Sequence, residues 1–150
     1  MLILYGCQDG GKPQTPQETL IVYPEYPTNT PHYPLTTMEQ KLLVDEYIKI
    51  IKKAGFPDYA DLAADMQRKR KIIFVRPPRL TEEFNAWADI QTKEIWLNKP
   101  MFDRYPHIAH QTTIFFHELI HIKSTELTHF GPWWKDQDVF AMWCKKEYNL

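Results

Sequence analysis

A chain of 150 residues and 17.9 kDa has the length of one domain with one core. A hydrophobic share of 43%, with 8 Phe, 8 Tyr and 5 Trp, is enough for a packed globular interior. A net charge of -1 argues against nucleic acid as a partner, no apolar run is long enough to span a bilayer, and two cysteines, Cys7 and Cys144, are too few for a zinc ribbon or a disulfide framework.

The N-terminus reads as an arm. Residues 1–34 hold six of the 12 prolines, and Gln8 to Pro34 is rich in Pro, Thr, Gln and Gly, a composition suited to an extended tether. Leu4-Tyr5-Gly6-Cys7 is similar to the cleavage motif of a bacterial lipoprotein signal, which implies a membrane tether through Cys7 and a place in the cell envelope. The six residues before Cys7 include no basic residue and make a short apolar stretch, so either the true start lies upstream or the likeness is accidental and the segment is a loose N-terminus; the cell envelope is the leading expectation and the cytoplasm its rival. Residues 35–150 are then the single folded domain.

The first helix is expected from Thr37, where Thr37-x-x-Gln40 has the capping-box pattern. Leu43, Tyr47, Ile50 and Ala54 follow at helical spacing, and Gly55 is the stop. A second helix is expected over Asp58 to Arg68, with Leu62 and Met66 inward. The basic run Arg68-Lys69-Arg70-Lys71, followed by Arg76 and Arg79, reads as a solvated helix end. Ile72 to Val75 reads as a strand stopped by Pro77-Pro78. Phe84–Ile90 and Glu94–Asn98 are two more strands, joined by a hairpin turn at Gln91-Thr92-Lys93. A helix beginning after Pro106 and reaching about Thr125, then a break at Gly131-Pro132, then a helix from Trp133 to Tyr148 complete the chain. The expected fold is α+β: a small antiparallel sheet of about three strands packed on a central helix, with N-terminal helices and a closing C-terminal helix.

That central helix carries His117-Glu118-Leu119-Ile120-His121, a match to H-E-x-x-H. Composition alone gives this pattern in about one or two such chains per hundred. Residues at i and i+4 lie one above the other on a helix, so two imidazoles at this spacing can grip one metal ion with the carboxylate of Glu118 beside it. Zinc held by three protein groups lowers the pKa of a bound water toward 7 and polarises a scissile carbonyl. Glu118 is placed to take the water's proton as general base and pass it to the leaving amine. Ile114, Phe115, Phe116, Leu119, Ile120 and Ile122 surround the pair and dry the site.

A third ligand is required. His129 follows His121 by eight residues, beyond Thr125, where the chain can turn back; Glu126, Asp136 and Asp138 are its rivals. His110 lies two turns before His117, too far along the axis to share an ion, and suits a supporting or surface role.

Lys93-Glu94-Ile95-Trp96-Leu97-Asn98 together with Gln111-Thr112-Thr113-Ile114-Phe115-Phe116-His117-Glu118-Leu119-Ile120-His121 resembles the SprT/WLM/YgjP-like group of small zinc metallopeptidases. Members place a strand of the form k-x-I-x-L-N before the H-E-x-x-H helix, then supply a third histidine in an H-S-P-x-F-W element. His129-Phe130-Gly131-Pro132-Trp133-Trp134 is similar to that element. The likeness spans about Phe84 to Trp134, a third of the chain. The step from His121 to His129 is longer than in the closest YgjP-like pattern, and the cysteine-rich zinc ribbon of many SprT relatives is absent.

The resemblance implies Zn2+ on His117, His121 and His129, with Glu118 as the base and a protein or peptide as substrate. It also implies an edge strand beside the helix, either Phe84–Ile90 or Glu94–Asn98, that binds the peptide by strand addition. Trp87 and Trp96 are candidates for the cleft floor, although aromatics on strands more often fill a core. Tyr105, Tyr148 and Arg104 are candidate donors to an oxyanion. The expected function is zinc metalloendopeptidase; the alternative is a catalytically silent metal-binding interaction domain of the same fold.

Overall fold

The computed structural model describes residues 37–75 and 85–150. The arm of residues 1–34 with Cys7, the Pro77-Pro78 stop, Arg76, Arg79 and Phe84 lie outside the described residues. No helix among the described residues is long and apolar enough to cross a membrane.

Helix α1 (Thr37–Lys53) buries Val44, Tyr47, Ile50 and Ile51, which recur at helical spacing. It ends where Gly55 takes φ +93°, a conformation that costs glycine no Cβ clash, and the Phe56 N–H reaches back to the Ile51 carbonyl at 3.2 Å. Helix α2 (Pro57–Arg68) starts one residue before the expected Asp58, because proline is well suited to a first helical position whose N–H has no partner in any case. Tyr59, Ala60, Ala63 and Met66 face the core, and Leu62 packs at its margin. Arg68 and Lys69 both pair with Asp65, and Lys71 stands 3.7 Å from Glu94. This part of the basic run is a solvated helix end, as expected.

Strands β1 (Ile72–Val75), β2 (Ala86–Asp89) and β3 (Glu94–Asn98) form one sheet in the order β1-β3-β2. β2 and β3 make the expected antiparallel hairpin, with Ala86 opposite Leu97 and Ala88 opposite Ile95. The Asp89 carboxylate accepts from the Gln91 and Thr92 N–H groups at 2.9 and 3.1 Å, and Lys93 turns the chain with φ 61°.

The sheet is mixed rather than antiparallel, because β1 runs parallel to β3, pairing Ile72 with Ile95 and Phe74 with Leu97. β3 is therefore the central strand. Its residues Ile95, Trp96, Leu97 and Asn98 are all buried, as a strand covered on both faces requires. Phe74, Ala86, Ala88, Ile95 and Leu97 join the helical core. Alternation puts the cross-strand pair Trp87 and Trp96 on the other face, where both are buried. Neither tryptophan floors a cleft on the helix side.

A short helix, α3 (Lys99–Phe102), which no sequence pattern announced, drives Phe102 into the core against Tyr47. Helix α4 (Ile108–Ser124) is the axis of the domain, and its residues are buried without a break from Thr112 to Ile122. Its N-terminus is capped by His107, whose Nδ1 accepts from the Ala109 N–H at 3.0 Å. Around it pack the sheet, α1, α2 and the closing helix α5 (Trp134–Tyr148). Phe116 shows how closely: its ring stacks on Phe140 at 4.3 Å and meets Tyr59 at 4.7 Å and Phe56 at 5.1 Å. The fold class is α+β, with two helices before the strands and the central and closing helices after them in the chain order expected, α3 being the addition.

Candidate metal centre

On α4 the helical rotation sets His117, Glu118 and His121 within one arc of the circumference. His117 and His121 are buried, and Glu118 is 0% exposed. The helix stops at Thr125, which adopts a left-handed φ of 59° and donates its N–H to the His121 carbonyl at 2.8 Å. That reversal brings the Glu126 carbonyl to 2.7 Å from His121 Nδ1. A carbonyl can only accept, so His121 carries its proton on Nδ1 and presents the Nε2 lone pair. Backbone carbonyls hold metal-ligating histidines in this way.

The loop then returns His129 over the helix. Its Nε2 lies 3.2 Å from His117 Nε2, and the three imidazoles can each offer a nitrogen within 4.8 Å of the others. Two nitrogens about 2.0–2.1 Å from one tetrahedral ion stand about 3.3 Å apart, so the observed separation suits a shared ion. The three ring centroids lie 5.1 Å from one another. His117 Nδ1 is buried and has no hydrogen-bond partner among the described residues.

Burial holds all three imidazoles neutral, the state a metal ligand needs. His117 lies well below the ordinary histidine range because of burial, helped by His121 and His129 beside it. Burial pulls His121 down to about 4 against the hydrogen bond to the Glu126 carbonyl, with His129 adding to the depression. His129 is lowered by burial alone. The cluster can hold a metal ion.

Glu126, Asp136 and Asp138 do not join the cluster. Glu126 contributes its backbone carbonyl, Asp136 accepts from the Tyr59 hydroxyl at 3.0 Å, and Asp138 is exposed on α5. His110 is half-buried near Tyr105, with ring centroids 6.1 Å apart, and is not a ligand.

The candidate oxyanion donors have other surroundings, and only Tyr148 is placed far from the histidines. The Tyr105 hydroxyl accepts from Asn85 at 3.0 Å, Arg104 is exposed, and Tyr148 packs on His107 at the opposite end of α4. Of the two candidate substrate-side strands, β3 is central and cannot add a peptide strand. β2 is an edge among the described residues and packs beside α4.

One residue of the site had no role assigned from its sequence position. Trp134, the first residue of α5, sets its ring 4.8, 5.2 and 5.0 Å from His117, His121 and His129, and its Nε1–H donates to the Thr128 carbonyl at 3.2 Å. The signal available was the Trp133-Trp134 pair itself. Which of the two meets the histidines depends on where α5 begins. Gly131 makes that arrangement feasible: its φ is +122°, and a Cβ there would meet the Trp133 indole at 3.0 Å.

Comparison with known protein families, with curated proteins and with solved structures finds no match for this chain.

Proposed function

We propose that the protein is a zinc-dependent metallopeptidase related to the SprT/WLM/YgjP-like group. The observation that carries this reading is the convergence of three neutral, buried or half-buried imidazoles on one point, with the buried Glu118 adjacent in the same helical arc. Zinc suits an all-imidazole donor set, and when bound it supplies Lewis-acid polarisation of a carbonyl and a water of lowered pKa. His117 and His121 would hold the ion from the helix, and His129 would hold it from the loop. Glu118 accepts a proton from the attacking water and delivers it to the leaving nitrogen. The apolar residues of α4 around it keep bulk water from competing for that carboxylate. β2, an edge among the described residues, is the place for an extended peptide to add by backbone hydrogen bonding.

A second reading, a metal-binding domain without turnover, is favoured by one observation: Tyr148 stands at the other end of α4 from the cluster, and the Tyr105 hydroxyl is engaged by Asn85. One experiment separates the two. Zinc-loaded and chelator-stripped protein are incubated with a library of unfolded polypeptides, and products are identified by mass spectrometry. Cleavage that chelation abolishes and zinc restores supports the peptidase. Metal binding without cleavage supports the silent domain.

A further inference from the structure

The three imidazole centroids and the Trp134 centroid form a nearly regular tetrahedron, with every edge between 4.8 and 5.2 Å. The indole thus sits over the middle of the imidazole triangle, on one side of it. An ion bound by the three ring nitrogens would lie on the axis through that triangle, the axis on which the indole also stands. The ring would therefore cover one side of such an ion.

The same side chain also ties down the loop. Its Nε1–H bonds the carbonyl of Thr128, the residue immediately before His129. The start of α5 is itself anchored, because Asp136, one half-turn on, accepts the Tyr59 hydroxyl from α2. Trp134 is therefore braced from the helical core while it touches all three histidines.

We propose that Trp134 is a positioning residue that closes one face of the three-histidine centre, leaving a bound ion one exchangeable position on the opposite face, and that its N–H clamps the loop delivering His129. This rests on the metal-binding reading of His117, His121 and His129. The ring part and the N–H part make separate contributions. The ring limits the ion to four-coordinate geometry, and the N–H reduces the loop entropy lost when His129 binds.

The test uses cobalt(II) as a spectroscopic substitute for zinc in the full chain. Four-coordinate cobalt(II) absorbs visible light strongly, and five- or six-coordinate cobalt(II) weakly. Wild type is expected to show the intense bands. Trp134→Ala, folded by far-UV circular dichroism, is expected to bind the ion with weak bands, because water reaches the uncovered face. Trp134→Phe keeps a ring but loses the N–H. It is expected to retain the intense bands and to bind zinc about 10-fold more weakly in a chelator competition, the size of effect usual for groups that orient metal ligands. Where Trp134→Ala does not fold, Trp134→Leu takes its place with the same spectral expectation. Intense bands in the Ala or Leu variant overturn the closed face, and wild-type affinity in Trp134→Phe overturns the clamp. Wild-type protein that binds neither cobalt nor zinc overturns the metal centre itself, a result distinct from either.

Discussion

His117 and His129 are twelve residues apart in sequence, yet their Nε2 atoms stand 3.2 Å from each other across the end of α4. Without an ion, that contact is a hydrogen bond between two neutral imidazoles. With one, both nitrogens become ligands and the loop from Thr125 to Trp133 is cross-linked to the helix. The first prediction follows from that difference. Zinc binds with a stoichiometry of one and raises the unfolding temperature on the order of 10 °C when it exceeds its dissociation constant a hundredfold. His129→Ala, which alters a half-buried loop residue, leaves metal-free stability within about 1 kcal/mol of wild type but removes the zinc-dependent increment. Differential scanning calorimetry with and without zinc checks both; an unchanged increment in His129→Ala would exclude it as a ligand.

The packing around α4 predicts a large stability effect at Phe116. Its ring is fully buried and lies against Phe140, Tyr59 and Phe56. Phe116→Ala should cost about 3–5 kcal/mol through lost transfer energy and the cavity left behind. Urea unfolding measures it, and a loss below about 1 kcal/mol would show that this aromatic cluster is not a tightly packed part of the core.

Thr125 is a β-branched residue held at φ 59°, next to the site. That backbone conformation is strained for any residue with a Cβ and natural for glycine. Thr125→Gly is expected to raise stability by about 1 kcal/mol while keeping zinc affinity, because the helix ends in the same way. Destabilisation on chemical denaturation would mean that the Thr125 hydroxyl, which donates to the Ser124 carbonyl at 2.5 Å, outweighs the strain.

Burial pushes the Cys144 thiol up to about 11, against a hydrogen bond with Thr113 that pulls the other way. The folded protein therefore holds this proton over a range, from the ordinary thiol value of 9.0 to about 11, in which the unfolded chain releases it. Its contribution to stability is fully present below pH 9 and is lost as pH rises toward 11. Cys144→Ala should flatten the stability curve in that window, and iodoacetamide at pH 8 should modify wild-type Cys144 only at the rate of unfolding. Rapid modification of the folded protein would contradict the assigned burial.

The legible part of the site was the part that depends on local geometry. His117, Glu118 and His121 share one arc because the helix has 3.6 residues per turn, and an apolar run long enough to guarantee that helix surrounds them. His129 is different. Its arrival depends on a left-handed Thr125, on Gly131 and on Trp134, and a non-glycine residue at positive φ has no sequence signature of its own. The sheet divides in the same way. The hairpin of β2 and β3 was announced by its turn, whereas the parallel partnership of β1 with β3 joins segments some twenty residues apart. The continuous apolar run Ile95-Trp96-Leu97 carried the sign of a central strand, covered on both faces, and that sign excludes it as a substrate edge.

Glu118 is the centre of the proposed chemistry, and Glu118→Gln tests it most directly, because the amide keeps the shape of the side chain and cannot accept the proton. Zinc content and hydrolysis of an unfolded polypeptide substrate are measured on wild type and variant side by side. The account predicts one zinc per chain in both and a loss of hydrolysis of about 10²–10⁴-fold in the variant. Equal rates in the two proteins, or no cleavage by zinc-loaded wild type, would contradict it.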